Sequence, residues 1–165
     1  MVGFWNQQFI HFGSHIKKLL EDGHIQHMQF NGDSRFRLGC DIVTIGRIER
    51  LLCDYPDRFR KFAFSSREQE YCDEQAFPSQ HYAARWAIKE AFIKALGVPG
   101  RNPDFTSIEV VREESPRLSL SEDGLDLLSQ VALTRQSSPR DTTIAISMSH
   151  ERQADLALGS VFVVF

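Results

Sequence analysis

The sequence predicts an α+β domain in which a mostly antiparallel sheet packs against one long helix. Three observations carry this. At 165 residues with 42% hydrophobic content, the chain has material for one core and not for two. The stretch "WAIKEAFIKALG" (Trp86 to Gly97) is built of strong helix formers and closed by a glycine suited to a left-handed helix end. Short segments rich in Ile, Val and Leu crowd the C-terminal half, separated by polar turns.

In chain order, residues 1–37 read as an N-terminal extension and residues 38–165 as the domain. The extension holds a helical stretch followed by the polar connector "QFNGDSR" with its Asn31-Gly32 turn signal. Its first 20 residues contain Lys17 and Lys18 and no acid, a pattern shared by a transit peptide and by a helix that packs on the domain. "RLGCDIVTI" (Arg37 to Ile45) reads as a buried strand. Ile45, Ile48, Leu51 and Leu52 then recur near a period of 3.6 until Pro56 stops them, which makes strand, turn, helix. A helix start is expected at Ser65 or Ser66, with Glu68 or Gln69 three residues on to complete a capping box. The long helix should run from about Gln80 to Leu96. "FTSIEVVRE" and "RLSLSE" read as strands around a Glu-Glu-Ser-Pro turn, "EDGLDLLSQVAL" as a helix, and "TTIAISMSH" and "DLALGSVFVVF" as strands, with a polar loop over residues 134–143.

Several function classes are excluded by composition. Nineteen Lys+Arg against 22 Asp+Glu give a net charge of -3, so no basic field announces nucleic acid, and an anion site must be local. No apolar run approaches the ~20 residues that span a bilayer. Cys40, Cys53 and Cys72 are odd in number and form no CxxC pair, which argues against a disulfide framework or zinc knuckle and fits a reducing compartment.

The residues that can carry chemistry fall in three blocks. Asp41 lies within an apolar strand, where a carboxylate is costly unless it is paired, caps a helix or holds a metal. On the long helix, Trp86, Glu90, Ile93, Lys94 and Gly97 fall near one face, with Arg85, Lys89 and Phe92 on an adjoining one. Two carboxylates from different elements, without a His/Cys cluster, suit magnesium, which keeps waters and takes substrate phosphate; lysines and arginines around it would meet phosphate oxygens. A solvated helix face with an i,i+4 Glu-Lys pair remains the plain alternative. "ISMSHE" places Ser147, Ser149 and His150 at a strand end; a surface histidine is the ordinary reading of His150, and the other five histidines have nothing comparable around them.

"GCDIVTIGRIE", "WAIKEAFIKALG" and "ISMSHE", in this order, closely resemble the 4'-phosphopantetheinyl transferases, in particular the small holo-acyl-carrier-protein synthase branch, over residues 38–165. Trp86, Lys89, Glu90 and Lys94 match the family's Trp/Phe-x-x-Lys-Glu-x-x-x-Lys signature position for position, and "YCDEQAFPSQHYAARWAIKEA" looks like fungal members. The resemblance implies the transferase fold and transfer of 4'-phosphopantetheine from coenzyme A to a serine of an acidic acyl carrier protein. It implies that Asp41 and Glu90 hold Mg2+, that Lys94 neutralises the pyrophosphate, and that Arg85, Lys89, Ser149 and His150 grip the nucleotide and its 3'-phosphate. The serine proton would go to Glu90 or to a metal-polarised water. Arg47 would meet the carrier protein, and Arg50 joins a basic surface with Arg58, Arg60 and Lys61. The resemblance further implies a homotrimer with active sites between subunits and, with the acid-free N-terminus, residence in the mitochondrial matrix; the cytoplasm is the alternative. Two features depart from the family: Thr44 stands where an acid usually follows the metal aspartate, and compact bacterial members lack the extension. A non-catalytic module that binds carrier protein is the competing reading. Another Mg2+-dependent nucleotide enzyme is disfavoured, because the sequence has no GxxxxGK[ST] or GxGxxG loop.

Overall fold

A nineteen-residue helix laid across a three-stranded sheet organises the chain. The computed structural model describes residues 35–98, 103–112 and 115–165; the expected extension, up to residue 34, lies outside the described residues. Strand β1 (Phe36–Thr44) leads directly into α1 (Ile45–Asp54), followed by α2 (Pro56–Ala63), α3 (Ser66–Asp73) and the long α4 (Pro78–Leu96). After a 3-10 turn (Phe105–Ser107) come β2 (Ile108–Arg112), β3 (Pro116–Leu120), α5 (Asp123–Thr134), a second 3-10 turn (Pro139–Asp141), β4 (Thr143–Glu151) and β5 (Leu156–Val164).

The main sheet is antiparallel throughout in the order β1-β5-β4, and β2 and β3 form a separate antiparallel pair. Helix α4 packs on all three strands of the main sheet. Two glycines make that contact close. A Cβ at Gly39 would sit 1.9 Å from the Ala91 carbonyl oxygen, and one at Gly159 would sit 2.5 Å from the Ala87 carbonyl carbon, so helix backbone rests on strand backbone. The small residues Ala84, Ala87, Ala91 and Ala95 line the buried side of α4 and permit the approach. Around them lie two clusters. One gathers Ile48, Phe59, Phe64 and Tyr82 near the helix start; the other gathers Phe92, Leu96, Ile108, Leu128 and Val161 near its end.

Helix α2 was not expected, because Pro56 was read as a stop. It is a stop for α1 and also the first residue of α2, where a missing N–H costs nothing. The capping box is present at Ser65: its hydroxyl accepts from Glu68 N–H while Glu68 accepts from Ser65 N–H. Thr44 makes no side-chain cap at α1. Asp155 does so instead, accepting from Ile45 N–H through its carbonyl and from Gly46 N–H through its carboxylate, which fixes the tip of the β4–β5 hairpin against the helix that carries Arg47. Away from α4, the outer face of the sheet exposes Phe36, Leu38 and Ile42 on β1 and Leu156, Phe162 and Val164 on β5. Among the described residues all three cysteines are free, and no helix is long and apolar enough to cross a membrane.

Candidate active site

Strand period places Asp41 on the same face of β1 as Gly39 and Val43, under the flank of α4. From that position its carboxylate accepts from Lys94 Nζ at 2.6 Å, and its side chain is only 14% exposed against 53% for Lys94. Glu90 lies one turn before Lys94. Burial raises its carboxyl above the ordinary 4.5 and nearby Asp41 raises it further, while Lys94 and Arg47 pull the other way. Two carboxylates, Asp41 and Glu90, therefore face each other across the helix–strand junction, with a lysine and an arginine at the margin.

That donor set fits a magnesium ion. The repulsion that raises Glu90 is what a cation between two carboxylates relieves, and magnesium needs no more than one or two of them. Among the described residues no group of three or more His, Cys, Asp and Glu side chains is arranged to hold a metal, so softer-metal sites have no counterpart there.

The opposite flank of α4 holds a second polar group. At about 100° per residue, His81 and Arg85 lie half a turn around from Glu90 and Lys94. The His81 ring meets that of His150 on β4 at 4.9 Å and that of Tyr71 on α3 at 5.9 Å. Arg85 is 1% exposed, with its guanidinium stacked 4.1 Å over Tyr71 and its Nε buried without a hydrogen-bond partner. Arg112 on β2 donates to the Tyr71 hydroxyl at 2.6 Å.

Residues 37–148 match the family model of the 4'-phosphopantetheinyl transferase superfamily. The chain belongs to that superfamily. A holo-[acyl-carrier-protein] synthase of Syntrophus aciditrophicus is 38% identical over 117 residues, covering 69% of this chain and 85% of the relative. Among solved structures, the ACPS-CoA complex of Chronobacterium ammoniagenes is 26% identical with a TM-score of 0.64, over 79% of this chain and 97% of that one. The Helicobacter pylori holo-[acyl-carrier-protein] synthase in complex with coenzyme A is 28% identical with a TM-score of 0.60, over 76% and 98%.

Within this transferase chain the expected site residues do not all meet. Asp41, Glu90, Lys94 and Arg47 converge on one flank of α4; on the other, Arg85 and His150 each lie beside His81 without a contact between them being shown. Arg50 stays on the exposed side of α1, donating to the Gly46 carbonyl one turn back. Lys89 requires a correction: it is 0% exposed and cannot grip a nucleotide. Its Nζ donates at 2.7 Å to each of the Glu68 carboxylate, the Ala63 carbonyl and the Phe105 carbonyl, which uses all three protons. Burial pulls its pKa below the ordinary 10.5, opposed by Glu68. Ser149 and His150 also separate, because neighbours on a strand face opposite ways: His150 pairs across from Ala157 on the helix side, and Ser149 across from Leu158 on the outer side. His81 was read as ordinary, yet it is the histidine in contact with His150; its position four residues before Arg85 was the signal.

Proposed function

We propose that this chain transfers the 4'-phosphopantetheine group of coenzyme A to a serine of an apo acyl carrier protein. The observation that carries the reading is the meeting of Asp41, Glu90 and Lys94 on one flank of α4, in a chain of this superfamily whose relatives are holo-acyl-carrier-protein synthases. The serine oxygen bonds to the phosphorus that bears pantetheine, the pyrophosphate P–O bond breaks, adenosine 3',5'-bisphosphate leaves and the serine proton goes to a base. Lys94, half-exposed, neutralises charge on the leaving phosphate. The base is Glu90 or a water polarised by the metal that Glu90 would help to hold. Asp41 and Glu90 would hold magnesium, which supplies charge neutralisation at the pyrophosphate. Arg47, beside Glu90 on α1, faces the approaching acidic carrier, with Arg50 farther along the same helix.

The finer reading is a homotrimer with sites between subunits. The exposed apolar outer face of the sheet, which other copies of the chain can cover, supports it. Light scattering should return three times the chain mass. Residence in the mitochondrial matrix rests on the acid-free first 20 residues; N-terminal sequencing of the organelle-derived protein should find the presequence removed, and an intact Met1 or Val2 in the organelle-free fraction would count against it.

The direct test is intact mass spectrometry of an apo acyl carrier protein incubated with this chain, coenzyme A and Mg2+. The carrier should gain one phosphopantetheine unit, and chelator or Glu90→Gln should abolish the gain. No gain with several carriers, despite binding of coenzyme A, would leave the binding-module reading in its place.

A further inference from the structure

We propose that Asp155, at the tip of the β4–β5 hairpin, is a positioning residue for carrier-protein recognition, holding closed from another element the first turn of α1, which presents Arg47. The inference rests on the function proposed above, in which Arg47 receives the carrier, and adds a residue that acts on the carrier only through that turn.

A helix leaves its first N–H groups without intrahelical partners, and the residue just before it ordinarily supplies a side-chain oxygen to one of them. Thr44 has the extended backbone for that role, with φ -77° and ψ 130°, yet makes no side-chain cap, and α1 has no acid in its first turn. The first two N–H groups go to Asp155 instead. Its carbonyl accepts from Ile45 N–H at 3.0 Å and its carboxylate from Gly46 N–H at 2.8 Å. Asp155 adopts a φ of 56°, in the left-handed region that aspartate enters more readily than most residues. Gly46 leaves the carboxylate room, since a Cβ there would already stand 3.4 Å from both of its oxygens. The tip is itself held. Asp155 N–H donates to the Arg152 carbonyl at 3.2 Å, Gln153 N–H donates to the Glu151 carboxylate at 3.0 Å, and the Arg152 guanidinium lies 3.7 Å from the ring centroid of Phe77, the residue before α4. The turn therefore braces the start of α1 against the start of α4.

The buried Ile45 and Ile48 set which side of the first turn enters the core, and Arg47 between them is left exposed. The isoleucines do not keep the turn wound to its first residue; the cap does. Arg47 is the third residue of α1, inside the turn that frays first when a cap is lost. With that turn frayed, the guanidinium takes up many positions, and an acidic carrier has to order it on binding, at a cost in affinity. Coenzyme A makes no such demand on the turn.

The test is steady-state transfer by the full chain, with the apo carrier and coenzyme A varied in turn, for wild type, Asp155→Ala, Asp155→Asn, Arg47→Gln and the double variant Asp155→Ala, Arg47→Gln. Asp155→Ala should raise the KM for the carrier about three- to tenfold, within the range that loss of one helix cap spans, with the KM for coenzyme A within about twofold of wild type. Asparagine keeps an oxygen that can accept from Gly46 N–H and tolerates the left-handed region, so Asp155→Asn should restore both values to within about twofold. In the double variant the carrier KM should match that of Arg47→Gln alone, because the cap acts through Arg47. Arg152→Gln loosens the same tip from Phe77 and should raise the carrier KM about two- to threefold, which tests the brace without altering Asp155. An unchanged carrier KM in Asp155→Ala and Arg152→Gln, a parallel rise in both KM values, an asparagine no better than alanine, or losses that multiply in the double variant would each overturn the proposal and leave the transferase reading in place. No transfer by wild type to several carriers would overturn both.

Discussion

Lys89 and Lys94 stand five residues apart on one helix, and each has its ammonium within 2.7 Å of a carboxylate, yet they belong to different parts of the molecule's economy. Lys89 is sealed. Its ion pair with Glu68 ties α4 to the end of α2, the cap of α3, the 3-10 turn at Phe105 and, through Val110 N–H on Glu68, to β2. Lys94 meets Asp41 with more than half its side chain in solvent, and a surface pair of that kind is worth under about 1 kcal/mol. A buried pair specifies the position of the helix. A half-open pair between residues that could change partners is suited to receiving charge from a substrate.

The difference can be broken at its sealed end first. Lys89→Met leaves the Glu68 carboxylate buried without its counter-charge and should cost about 3–5 kcal/mol in denaturant unfolding. The double variant Lys89→Met, Glu68→Gln should recover part of it. If the single variant costs under about 1 kcal/mol, the pair is not the fixture described here. At the open end, Glu90→Gln should lower the transfer rate by about 100- to 1000-fold, as loss of an electrostatic contact in the transition state does. Its stability should move in the opposite direction. Because the folded protein raises the Glu90 carboxyl above 4.5, ionising it costs stability as pH rises through the raised value. Glu90→Gln should therefore be as stable as wild type below pH 4.5 and more stable at pH 7, as thermal melts across that range would show. Between these in kind is Gly39→Ala, where the added methyl meets helix backbone and should cost about 1–3 kcal/mol by overpacking, with activity lost as α4 lifts from Asp41. A variant that melts like wild type would contradict the close helix–sheet contact.

Much of this was legible in the sequence where the signal is local. The strand holding Asp41, the capping box at Ser65, the helix closed by Gly97 and the two C-terminal strands all follow from periodicity and terminal chemistry within a few residues. The meeting of Asp41, Glu90 and Lys94 was implied by a family signature and is in the fold as a contact across 53 residues of sequence. What stayed hidden depends on distant partners. The burial of Lys89 is set by Glu68 and by two carbonyls, none of them on α4. The environment of His81 comes from β4, β2 and α3. By contrast, the split between Ser149 and His150 was available from strand period, and the second role of Pro56 from its fitness for the first turn of a helix.

The smallest expected effect on stability coincides with a large one on chemistry, and that pairing decides the account. For Lys94→Gln we would measure both the single-turnover rate of phosphopantetheine transfer to an apo acyl carrier protein and the free energy of unfolding. The account predicts a rate reduced at least about 100-fold with stability within about 1 kcal/mol of wild type. A variant that keeps its rate, or that loses rate and stability together as Lys89→Met should, would contradict the division of labour along α4.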